Sequence, residues 1–139
     1  MEDLNPRPGP RVDKRGIRPA PAFAIEQLPG PADARVLRMI GEFDLAASDS
    51  FREHLATALA VVPNVMLDME ETEFIDSSML KELLRGSEAA AGAGGRLVLT
   101  GMRPSVQRLF ELTSISQLLE IVPSRDEALQ RVSRGGAGP

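Results

Sequence analysis

Residues 74–80 read Phe-Ile-Asp-Ser-Ser-Met-Leu, and the division of the chain follows from them. Phe74-Ile75 is an apolar lead-in. Asp76, Ser77 and Ser78 then supply side-chain oxygens of the kind that accept hydrogen bonds from the free N–H groups of a helix start. Leu80, Leu83, Leu84, Ser87 and Ala91 follow at helical spacing and predict a helix to about Ala91 with these residues on its buried side. Gly92 to Gly95 terminates it.

Upstream, Val65–Met69 reads as a strand, and Pro63-Asn64 closes a helix expected from about Ser50 to Ala60. Ser50 with Glu53 has the form of a capping box, and Phe51, Leu55, Leu59 and Val62 give that helix one apolar face. Before it, Phe23–Ile25 and Val36–Ile40 read as two strands separated by Pro29-Gly30-Pro31, a link short enough for an antiparallel pair; Gly41 to Asp44 then leaves the sheet. Downstream, Arg96–Thr100 is a strand, and Pro104 suits the first turn of a helix carrying Val106, Leu109 and Phe110. Leu118–Val122 is a short last strand; Ser124 with Glu127 opens a final helix with Ala128, Leu129 and Val132 inward. Two strands followed by strand–helix units predict an α/β fold, a mixed sheet of about five strands with four or more helices packed on it. The run Leu97-Val98-Leu99 suits a strand covered by helices on its faces.

The ends differ from this middle. Residues 1–21 are rich in Pro, Gly and Arg and are expected to be a disordered tail, with 134–139 a flexible C-terminal end and the domain confined to 22–133. The formal net charge of -4 divides into +2 over residues 1–21 and -6 over the rest. So acidic a domain is a poor ligand for nucleic acid phosphates. Either the basic tail is simply solvated or it touches an anionic surface. The chain has no cysteine, which removes disulfides, thiolate catalysis and cysteine-ligated metal. No run of about 18 apolar residues suggests membrane insertion, and prolines interrupt the N-terminus where a signal peptide would be apolar. A cytoplasmic protein is expected.

Few residues offer chemistry. His54, the single histidine, falls on the first helix with no sequence partner, and metal or catalytic sites need clustered groups. There is no G-x-S-x-G, P-loop or dinucleotide fingerprint. Glu70, Glu71 and Glu73 form an acidic cluster, read as a solvated loop or as a cation or acid–base pair. Asp68 mimics the phosphoacceptor of a response-regulator receiver, but the acidic pair after the first strand and the late lysine of that fold are missing. The expectation is no enzyme and no cofactor. The remaining candidate is Asp76-Ser77-Ser78, whose capping role and a second role are compatible. A serine at a helix N-terminus is exposed, and a phosphate there is favoured by free amides and the helix dipole. Phosphorylation adds about -1.5 to -2 charges and so changes a surface without unfolding the domain.

Gly41-Glu42-Phe43-Asp44-Leu45, then Phe74 to Leu80, then Leu97-Val-Leu-Thr-Gly101, then Val106-Gln-Arg-Leu-Phe-Glu-Leu-Thr113, resemble in order the signatures of STAS domains, most closely the bacterial anti-sigma-factor antagonists. The resemblance covers about residues 23–133. It implies a regulator of transcription that binds an anti-sigma factor, itself an ATP-dependent serine kinase, and so frees a sigma factor. It implies that the kinase phosphorylates Ser77, which abolishes binding, and that a serine phosphatase restores it. Asp76, Ser78, Met79, Gly41, Glu42 and Asp44 are then the expected partner-binding residues. A weak homo-oligomer is compatible with this reading. The same resemblance allows a scaffold of a stress-sensing complex or a subunit of a lipid-transport ABC complex. Two positions depart from the family pattern: Met79 and Ser114 each stand where glycine is usual.

Overall fold

The computed structural model describes residues 22–133; the expected tails at 1–21 and 134–139 lie outside the described residues. Along the chain come β1 (Phe23–Leu28), β2 (Ala34–Phe43), α1 (Leu45–Leu59), β3 (Asn64–Asp68), β4 (Thr72–Ile75), α2 (Ser77–Gly92), β5 (Leu97–Thr100), α3 (Pro104–Thr113), a 3₁₀ turn (Ile115–Leu118), β6 (Glu120–Val122) and α4 (Arg125–Ser133).

The sheet runs β1-β2-β3-β5-β6. β1 and β2 pair antiparallel, from Phe23 opposite Gly41 to Leu28 opposite Val36; the other pairings are parallel. β2 is long enough to serve two parallel neighbours in turn, β3 along Ala34–Arg38 and β4 along Gly41–Phe43, with an irregularity at Gly41/Glu42. Gly41 has φ +96°, and a Cβ there would run into the Ala22 carbonyl. Only glycine lets β2 change partners so close to β1.

Alternation along the strands sorts the core into two layers. Leu37, Met39, Phe43, Val65, Leu67, Leu97 and Leu99 face α1, α2 and α3, which contribute Phe51, Leu55, Met79, Leu80, Leu83, Val106 and Phe110. Val36, Met66, Val98 and Val122 face the other way and meet Ala128 and Val132 of α4. Gly86 lies where a Cβ would strike Leu55, so α1 and α2 approach closely.

The α/β class, the mixed sheet and the helices packed on it agree with the sequence reading. The strands number six rather than about five among the described residues, because Thr72–Ile75 is a strand and not merely a lead-in. Glu70 and Glu71 just before it and Glu73 within it disguise the pattern. α1 begins at Leu45, not Ser50: the side chain of Asp44 accepts from the Ala46 N–H at 3.0 Å. Ser50 is therefore inside the helix, and its carbonyl receives the His54 Nδ1–H at 2.8 Å. β2 continues to Phe43, so Gly41 to Phe43 stays in the sheet. The inward side of α2 is Met79, Leu80, Leu83, Gly86 and Ala90, whereas Ala91 is exposed. The last strand is shorter than 118–122, its first part being the 3₁₀ turn. The second capping box is present, with the Glu127 N–H donating to Ser124 Oγ at 3.1 Å.

Candidate functional site

β2 and β4 end side by side, and each hands the chain directly to a helix. The Asp76 N–H donates to the Phe43 carbonyl at 3.2 Å, which ties the two strand ends together. The N-termini of α1 and α2 consequently lie next to one another, at the carboxyl ends of parallel strands, where open α/β sheets commonly place their sites.

Asp76 is the N-cap of α2. Its Oδ1 accepts from the Met79 N–H at 3.1 Å and from Ser78 Oγ at 2.6 Å. Burial acts to raise the pKa of this carboxyl. The Ser78 hydroxyl and the backbone N–H groups of Met79, Ser78 and Leu45 outweigh that and hold it below the usual value. The Leu45 donor belongs to α1, so one carboxylate serves the starts of two helices.

The two serines are not equivalent. Ser78 is half-buried and its hydroxyl is committed to Asp76. Ser77, in the first turn of α2, is exposed, and among the described residues no hydrogen bond occupies its hydroxyl. Asp44 and Glu42 are exposed on the same rim, Glu42 lying opposite Phe74 in the β2–β4 register. Gly41 and Met79 are buried, so neither presents a side chain or open backbone to a partner. Met79 packs under the first turn of α2, its Sδ 3.9 Å from Ser48 Oγ of α1. As surface contacts these two positions are corrected: Gly41 shapes the sheet and Met79 fills the core.

Two apolar residues on this rim escaped the sequence reading. Leu45, the first residue of α1, is 72% exposed, and Phe74, two residues before Asp76, is 49% exposed. Phe74 was legible as apolar but not as outward, because its strand went unrecognised; alternation from the buried Ile75 would have pointed it out.

The other candidates separate from the site. His54 is exposed on α1. Glu71 lies 3.7 Å from Arg38, and the Glu70 carbonyl accepts from Arg103 Nε at 2.9 Å. Among the described residues no group of three or more His, Cys, Asp or Glu side chains is placed to hold a metal ion. Asp68 is 2% exposed and bound to Arg125 at 3.0 Å, with Arg38 at 3.8 Å. No helix of the described residues is long and apolar enough to cross a membrane.

A mixed sheet with three helices on one face and one on the other, with an exposed serine at a helix start, defines a small α/β domain. The chain belongs to the STAS domain family, whose model matches residues 23–128. It is 28% identical over 101 residues to a STAS-domain containing protein of Pseudomonas aeruginosa, covering 71% of this chain and 99% of that one. It is 25% identical over 96 residues to the anti-sigma F factor antagonist of Paenibacillus polymyxa, covering 68% of this chain and 82% of that one. The fold matches the Bacillus cell fate determinant SpoIIAA, an anti-sigma factor antagonist. For its unphosphorylated form the TM-score is 0.67 at 24% identity, over 80% of this chain and 97% of that one. For its phosphorylated form the TM-score is 0.61 at 23% identity, over 78% and 99%.

Proposed function

We propose that this protein is an anti-sigma factor antagonist: it binds an anti-sigma factor that is also an ATP-dependent serine kinase, and thereby releases a sigma factor. Phosphorylation of Ser77 by that kinase ends the binding, and a serine phosphatase restores it. The domain itself is a cytoplasmic binding module without catalytic machinery.

The observation that carries this reading is the inequality of the serine pair. Ser78 spends its hydroxyl on the cap, while Ser77 is exposed one residue away. Because Asp76 already caps α2, modification of Ser77 removes no bond the helix depends on. A phosphoryl group at that point of a helix is well placed beside the remaining first-turn amides. Its effect falls on the rim formed by Asp44, Leu45, Phe74 and Asp76, where a desolvated dianion opposes contact. The antagonist named among the relatives, and a fold neighbour known in both phosphorylation states, support the same assignment.

The test is capture from native extract by the unphosphorylated wild type, Ser77→Ala and Ser77→Asp. The expected outcome is an ATP-binding kinase retained by the first two and lost, by tenfold or more in affinity, with the third. Retention independent of residue 77 would sink the switch and leave a scaffold or transport-complex subunit.

A further inference from the structure

On the face of the sheet that α4 covers, one row of side chains is polar. Glu26 of β1, Arg38 of β2, Asp68 of β3 and Thr100 of β5 are successive partners in the strand register. Val36, Met66 and Val98, two residues before Arg38, Asp68 and Thr100, belong to the apolar layer under α4. Asp68 is almost wholly buried. Its Oδ1 accepts the Glu70 N–H at 3.1 Å, which fixes the carboxylate in place. Its Oδ2 accepts from Arg125 Nη1 of α4 at 3.0 Å.

A second guanidinium stands at the same oxygen without bonding to it. Arg38 Nε lies 3.8 Å from Asp68 Oδ2, beyond hydrogen-bond length. Arg38 Nη1, at the other end of the group, lies 3.9 Å from Glu26 and 3.7 Å from Glu71. The Nε is buried and, among the described residues, has no hydrogen-bond partner. An unused buried donor is costly, and a movement of about 1 Å would bring this one to charge-assisted length on Asp68. α4 in turn is lightly held. It has nine residues and buries only Ala128 and Val132. Its other tie to the sheet, Arg131 to Glu120 at 2.8 Å, is partly open to solvent, where ion pairs contribute little. What would keep α4 down is the cost of leaving the buried Asp68 unpaired, and Arg38 is placed to remove that cost.

We propose that α4 is a detachable cover and that Asp68 Oδ2 passes from Arg125 to Arg38 as it lifts. In the closed state Arg125 holds the carboxylate and Arg38 stands by. In the open state Arg38 holds it, and the patch of Val36, Met66, Val98 and Val122 is uncovered. The carboxylate keeps its place and a cation in both states, so the cover can open while the rest of the sheet stays folded. The device does not depend on Ser77 or on what the rim around it binds.

Native-state hydrogen exchange of the full chain at fixed pH reads the opening of α4 through amides 125–133, with those of α2 as the reference for unfolding of the whole domain. Arg125→Gln is expected to speed α4 exchange at least fivefold, as loss of any fastening would. Arg38→Gln is the decisive variant. It removes the partner of the open state, so α4 exchange is expected to slow at least threefold relative to α2. A residue that merely supported Asp68 in the closed state would have the opposite effect; faster or unchanged exchange therefore overturns the proposal. Once Arg125→Gln is present, Arg38 serves Asp68 in both states, and adding Arg38→Gln should alter α4 exchange relative to α2 by less than twofold. Slowing by the same factor as in the wild type overturns the hand-over. Thermal unfolding checks that each variant is folded. Should Arg38→Gln not fold, Glu71→Gln takes its place: Glu71 is exposed, and its loss releases Arg38 Nη1 toward Asp68. At least twofold faster α4 exchange is then expected, and unchanged or slower exchange overturns the proposal.

Discussion

Met79 stands where the family pattern has glycine, and its whole side chain is buried between the first turns of α1 and α2. It therefore puts no bulk in the path of a kinase approaching Ser77. Its weight is on stability. Met79→Gly removes a fully buried side chain and adds glycine's backbone entropy within a helix, a loss expected to be about 3–5 kcal/mol. The urea midpoint measures it; a change below about 1 kcal/mol would mean the space closes up. Ser114, the other departure, has φ 60° and sits in the left-handed region between α3 and the 3₁₀ turn. Restoring glycine relieves that conformation, and Ser114→Gly is expected to raise stability by about 0.5–1 kcal/mol. A fall in melting temperature would contradict the account.

At the level of elements, the junction of β4 with α2 depends on one carboxylate. Asp76→Asn keeps a capping oxygen but loses the charge, and Asp76→Ala loses the cap at a cost of about 1 kcal/mol. The folded-state pKa of Asp76 lies below the ordinary 3.8. Its contribution is thus complete above that value and is lost as pH falls through the lower, folded one. Glu82, held down chiefly by its hydrogen bonds to Arg52, gives the same sign. Urea unfolding between pH 7 and pH 2.5 should therefore show stability dropping in the acid limb, less steeply in Asp76→Asn; parallel curves would exclude Asp76 as a source.

How far such elements can be read from sequence depends on their local chemistry. α2 is legible almost to the residue because an N-cap, an apolar period and a glycine stop all agree. α1 is misread at its start because Ser50 and Glu53 imitate a cap one turn inside the helix, while the true cap, Asp44, follows directly on a strand. Asp76 and Ser77 are visible as a helix start. The partnership of Asp76 with Leu45 joins segments some 30 residues apart, and no local pattern encodes it.

For the molecule as a whole, the two faces of the sheet are covered unequally. Three helices pack on one, and among the described residues α4 alone packs on the other, through Ala128, Leu129 and Val132. Its first turn is fastened by Arg125 to the buried Asp68 at 3.0 Å. Breaking that bond leaves a short helix held by little apolar area. Asp68→Ala is expected to speed hydrogen exchange of amides 125–133 several-fold while those of α2 change little. Uniform acceleration across all helices would show that Asp68 supports the whole core instead.

The same fastening gives the domain a direction. Arg125 lies at the carboxyl end of β3, so α4 begins at the rim that carries Ser77 and runs away from it, past Met66 and toward Ala34. Ala22, by contrast, enters the sheet at that rim, its carbonyl accepting from Glu42 N–H at 3.0 Å. A label, a surface tether or a fused protein attached ahead of β1 joins the domain at the rim that carries Ser77, whereas one attached beyond α4 joins it at the opposite pole and leaves that rim open.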